Sequence, residues 1–102
     1  MLVAGGVYAR KPRPAVVIQD DLFSGTGSVT VCPFTTTPVD APLLRMGIPA
    51  DEASGISADS FAMIDKVTTV KRDSLGGIVG HLTAVQMLEL ERRLVVFLGL
   101  AH

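Results

Sequence analysis

Only one stretch of this 102-residue chain spaces its apolar residues like a helix, and it comes last. Met87, Leu90, Leu94 and Phe97 recur at three- and four-residue intervals, which lines them along one side of an α-helix. Thr83 stands just ahead with Gln86 three residues on. Hydroxyl and amide can then satisfy each other's backbone N–H groups, the capping box that starts a helix. Gly99 follows as the C-terminal glycine that ends one. Glu89 precedes Arg93 by four residues on an outer face, the favourable order for an ion pair. Leu88 and Val95 point toward a different side from the apolar row, so the helix carries more apolar surface than one barrel face needs. The remainder suits a subunit interface.

Everything before that helix reads as short strands between turns. Residues 14–19 hold the run Ala15-Val16-Val17-Ile18, whose β-branched content and length favour a buried strand. Residues 28–34 form a second strand through Val29-Thr30-Val31-Cys32, with Pro33 expected to stop it. Residues 43–48 read as a third strand, 49–60 as a long surface loop, and 61–70 as one or two strands. Residues 71–75 suit a single helical turn, and 76–82 a Gly-rich strand. Met1 to Ala4 make a short first strand, and residues 7–12 a loop. Turn signals at such close intervals favour a small β-barrel over a parallel sheet, so the fold class is mainly β with a C-terminal helix, in one domain spanning 1–102.

Charge and chemistry narrow the function. Nine basic and ten acidic side chains leave a net charge of -1, which argues against a protein that coats duplex DNA and leaves room for one that grips a few phosphates locally. Cys32 is the single cysteine, so no internal disulfide can form. One cysteine with His81 and His102 makes a poor zinc set, and no metal or cofactor is expected. The chain has neither an apolar run of about 20 residues, as a membrane span needs, nor a signal-peptide start, and the cytoplasm follows by elimination.

Four places carry candidate chemistry. Pro12 and Pro14 hold Arg13 on a stiff extended backbone at the mouth of a buried strand, where a guanidinium suits bidentate contact with a phosphate. Thr35, Thr36 and Thr37 follow Pro33-Phe34 and offer uncharged hydroxyl donors. Asp65 and Lys66 interrupt an apolar run mid-strand. His81 has the side chain best suited to proton transfer near neutrality. Taken singly, each has a plainer reading: an exposed arginine, a solvated turn, an edge feature, a structural histidine.

Taken together and in order, they resemble the MazF/PemK toxins. The resemblance rests on Arg13-Pro14 ahead of a Val-rich strand and on a second Val-rich strand ending Pro33-Phe34-Thr35-Thr36. It continues through Ile64 to Val70, Leu75 to Leu82 with its Gly80-His81-Leu82 end, and the last helix closing Phe97-Leu98-Gly99-Leu100. It covers nearly the whole chain. It implies an SH3-like barrel with a C-terminal helix, a homodimer, and a cytoplasmic endoribonuclease held inactive by a cognate antitoxin. Arg13 and Thr35 are then the catalytic pair, and Asp65 a residue lining the RNA groove. Lys11 and Thr36 are further RNA contacts, and Tyr8, the only tyrosine, would stack on a base. The implied reaction is metal-independent: the ribose 2′-OH attacks its own phosphate, giving a cyclic phosphate and a free 5′-OH on single-stranded RNA. The first strand is shorter than in relatives, and His81 stands where many have Arg. No general base is evident. Two other readings are a CcdB-like gyrase poison, which would act through a C-terminal Trp that this chain lacks, and a catalytically silent homologue that only binds an antitoxin.

Overall fold

The computed structural model describes residues 2–5, 13–23 and 25–100. Tyr8, Lys11 and the loop expected at 7–12 lie outside the described residues, as does His102. Among the described residues, seven antiparallel strands precede one helix: β1 Leu2–Gly5, β2 Ala15–Val17, β3 Ser28–Thr35, β4 Arg45–Ile48, β5 Ser60–Met63, β6 Thr68–Lys71, β7 Leu75–Gly80 and α1 Ala84–Phe97. The sheet runs β4-β5-β3-β2-β1-β7, and β6 also pairs with β3.

β3 is the axis of the fold. One edge pairs with β2 along Val31 to Pro33, with Ala15 opposite Pro33, Val16 opposite Cys32 and Val17 opposite Val31. Its other edge has two partners in succession: Ser28 to Val31 pair with β6, then Phe34 and Thr35 with β5. Pro33 falls at the changeover. The backbone groups of Thr30 and Phe34 bond toward β2, so those of the odd-numbered residue between Cys32 and Phe34 face the other edge. There β6 has ended and β5 has not begun, so the missing N–H breaks no ladder bond. The strand therefore runs on to Thr35, where a stop at Pro33 was expected.

Both faces of the β2–β3 ribbon are covered, which is why residues 15–18 read as a continuous apolar run instead of an alternating one. On one face Val16, Cys32 and Phe34 pack with Met46, Ile48, Ala62, Ile64 and Leu90. On the other, Ala15, Val29 and Val31 pack with Val70. Helix α1 lies over the first face through Leu90, with Met87 and Leu94 partly buried beside it. The capping box between Thr83 and Gln86 forms in both directions, and Gly99 takes a φ of 72° past the helix end. Phe97 departs from the expected row: it is 46% exposed and lines a groove with Leu43, Leu44 and Val96.

β4 and β7 end the six-strand path, and the connection between β4 and β5 reaches from one end to the other. The His81 N–H donates to the Ala53 carbonyl at 2.8 Å. A Cβ on Gly80 would sit 2.5 Å from that same oxygen and closer still to the Ser54 carbonyl. Gly55, at φ 68°, packs as tightly against the Val79 backbone. Ser54 and Ile56 are buried. The 49–60 segment is thus a closing piece of the barrel wall as well as the surface loop that its polar residues suggest.

Residues 61–70 divide into β5 and β6 with a 3₁₀ turn, Ile64–Lys66, between them. Asp65 and Lys66 stand on that turn, whereas a mid-strand position was expected. The third strand is confined to Arg45–Ile48, Leu43 being exposed on the preceding turn.

Candidate active site

The register of β2 on β3 continues past the strand end. The Phe34 N–H donates to the Pro14 carbonyl at 3.1 Å, so the pairing of Ala15 with Pro33 extends by two residues and sets Arg13 across from Thr35. Two residues 22 positions apart in sequence are thereby held as neighbours by ladder geometry alone. Together they line a depression of about 430 Å³, whose other walls are Pro33, Phe34, Met63, Lys66 and Thr68. The changeover at Pro33 opens this space, since no backbone fills the gap between β6 and β5 there.

Arg13 is exposed. The Thr35 Oγ1 accepts the Thr37 N–H at 3.2 Å, a local turn that fixes the hydroxyl oxygen and leaves its hydrogen to donate. Thr68 adds a second hydroxyl and Lys66 a second cation. No carboxylate is among the described lining residues. The floor of Pro33, Phe34 and Met63 is apolar. Sequence reading missed Met63 and Thr68, which look like ordinary strand residues until β5 and β6 are seen to flank the gap. It noted Lys66 only as half of a charged pair.

Asp65 does not line the depression. Its carboxylate is ion-paired and hydrogen-bonded to the Arg45 guanidinium, which also donates to the Leu44 carbonyl at 2.9 Å. Arg93 of α1 donates to the Pro42 carbonyl at 2.6 Å and bonds Glu89 at 2.8 Å. These contacts tie the helix, the start of β4 and the 64–66 turn into one unit. Asp65 was expected to line an RNA groove; it stands outside the lining of this depression, its carboxylate turned to the largely enclosed Arg45 from the same turn that carries Lys66. Thr36 is exposed beside Thr35 but outside the lining. His81 is exposed, held by its backbone to Ala53, and likewise outside the lining.

Cys32 is the other reactive side chain near by, and the structure silences it. Burial, reinforced by the Asp65 carboxylate, pushes its thiol up to about 12. A thiol held protonated under the sheet is no nucleophile. Among the described residues no group of three or more His, Cys, Asp and Glu could hold a metal ion, and no helix is long and apolar enough to cross a membrane.

Among the described residues, the depression thus gathers a guanidinium, an ammonium and two hydroxyls, donors of the kind that suit a phosphate, on a small antiparallel barrel closed by a C-terminal helix. The chain belongs to the PemK-like, MazF-like toxins of type II toxin–antitoxin systems, whose family model matches residues 2–98. It is 55% identical, over 96% of its length and 90% of the relative's, to a probable endoribonuclease MazF of Mycolicibacterium smegmatis. Its fold matches the Mycobacterium tuberculosis toxin MazF-mt6 with a TM-score of 0.82 at 23% identity, covering 97% of each chain. It also matches an endoribonuclease in complex with its cognate antitoxin from a mycobacterial species, with a TM-score of 0.79 at 20% identity, over 99% of this chain and 94% of that one.

Proposed function

We propose that the chain is the endoribonuclease toxin of a type II toxin–antitoxin pair, cutting single-stranded RNA in the cytoplasm without a metal. The observation that carries this is that Arg13 and Thr35 line one depression, with no carboxylate among its described lining residues. The ribose 2′-OH attacks the adjacent phosphorus, giving up its proton to water, and the P–O5′ bond breaks, leaving a 2′,3′-cyclic phosphate and a 5′-oxygen that takes up a proton from water to become the 5′-OH. Negative charge builds on the non-bridging oxygens in the transition state. The Arg13 fork neutralises it, and the Thr35 hydroxyl donates to one of them. Single-stranded RNA fits because its unstacked bases can splay over the apolar floor while the phosphate enters. Thr36 extends the row of donors along the strand. Lys11 and Tyr8 keep the RNA-contacting roles that their place ahead of Arg13 suggests.

The partners follow from the same reading. An antitoxin that silences such a site covers the depression, and an acidic or aromatic segment that folds on binding suits its cations and apolar floor. Helix α1 leaves Val85 78% and Val96 64% exposed, apolar area that a second copy of the chain would cover in a homodimer.

Cleavage of a long RNA by the purified protein in excess EDTA tests the reading. The expected products carry cyclic phosphate ends at an undiminished rate, and a requirement for Mg²⁺ would overturn it. Arg13→Ala should slow cleavage by about a hundredfold or more with folding intact, since one preorganised donor to transition-state charge is worth about that much. Arg13→Lys should recover part of the loss, keeping charge without the fork. A folded protein that binds RNA and never cuts it would point to the silent homologue instead.

A further inference from the structure

We propose that Lys66 holds a second phosphate of the RNA, the one flanking the scissile phosphodiester, and so fixes the strand's path through the site. This rests on the proposed cleavage at Arg13 and Thr35. Lys66 closes the 3₁₀ turn between β5 and β6 and lines the same depression from the side opposite β2. It is exposed, and among the described residues it has no carboxylate partner. Its sequence neighbour Asp65, which would otherwise neutralise it, is turned away and bound to Arg45.

The pairing of Asp65 with Arg45 thus does two things for Lys66. It anchors the turn to β4, and it leaves the ammonium as uncompensated charge facing the depression. The two cations suit different tasks. The planar fork of Arg13 fits the phosphate that must be held in one geometry while its bonds change. The ammonium of Lys66 is a point charge with three rotatable donors, which holds a phosphate without demanding one orientation. A volume of about 430 Å³ accommodates more of the strand than one phosphate.

A cation on a flanking phosphate adds ground-state affinity and releases counterion, so it appears in binding and its salt dependence. The probe is a mixed-sequence oligoribonucleotide, 2′-O-methylated throughout so that it cannot be cut, followed by fluorescence anisotropy over a range of salt. Removing one phosphate contact to a single strand lowers the slope of log affinity against log salt by about 0.7, which is about fivefold in affinity at 0.1 M salt. Lys66→Ala should show both changes, and Lys66→Arg should restore the slope. Lys71→Ala, at the end of β6 away from the depression, should leave the slope as in wild type. An unchanged slope in Lys66→Ala, or an equal drop in Lys71→Ala, overturns the assignment. If the wild type binds the methylated strand with the expected Lys66 dependence yet cuts no unmodified RNA, the cleavage reading fails and the phosphate contact stands.

Discussion

Asp65→Ala should be among the most damaging single substitutions outside the apolar core. The Arg45 side chain is only 10% exposed and that of Asp65 27%, so truncating the carboxylate strands a guanidinium in a nearly closed environment. What remains to Arg45 is the Leu44 carbonyl, and its Nε is already buried without a partner. Breaking one side of a buried pair costs about 3–5 kcal/mol. Asp65 is partly open to water, which can enter once the carboxylate is gone, so the cost is discounted below that range, to about 2–3 kcal/mol. A chain of this size loses about 4–8 °C of Tm per kcal/mol, so the midpoint should fall by about 8–24 °C. Asp65→Asn keeps an acceptor and loses the charge, and should fall between alanine and wild type. The paired replacement Arg45→Met with Asp65→Leu removes the stranded charge and should return to within about 1 kcal/mol of wild type. Thermal and urea unfolding followed by circular dichroism measure the midpoint and the free energy of all four. Asp65→Ala within about 0.5 kcal/mol of wild type would refute the anchoring role, since that is the range of surface substitutions. So would a double variant no more stable than the single one.

Gly80→Ala should cost about 1–3 kcal/mol, because the added carbon meets the Ser54 and Ala53 carbonyls and backbone has to shift to admit it; a midpoint unchanged in urea would mean that the closing segment is not packed there. The raised Cys32 pKa makes stability fall with alkali. Unfolded, the thiol ionises near 9; folded, it holds its proton to about 12, so its contribution is full below pH 9 and is lost as pH rises toward 12. Cys32→Ala should flatten that part of the stability–pH curve, and an identical curve in the variant would contradict it.

The parts of the fold legible in sequence are those whose causes are local. The capping box of Thr83 and Gln86 needs only four residues, and the helix forms where it points. The run from Ala15 to Ile18 is apolar on consecutive positions because both faces of the ribbon are buried, and that too is written in the residues. Arg13 and Thr35 were marked by resemblance, and the β2–β3 register supplies the reason that they meet.

Pro33 and the pair Asp65-Lys66 were misread, and one tertiary event accounts for both. β3 exchanges β6 for β5 as its partner. The chain linking those two strands has to step across the gap, so residues 64–66 turn where apolar alternation alone would continue a strand. Across the gap, a residue of β3 has no ladder to join, so a proline there is harmless and the strand continues to Thr35. Rules of local propensity contain no information on when a strand changes partner, which explains both errors. The same exchange leaves the space that Arg13 and Thr35 border from one side and Lys66 and Thr68 from the other. A sheet paired without interruption would have filled it with backbone. The residues that defy local reading are therefore those that the depression requires: a proline that removes a donor no neighbour could use, and a turn that brings a cation to the rim while its carboxylate neighbour is held by Arg45.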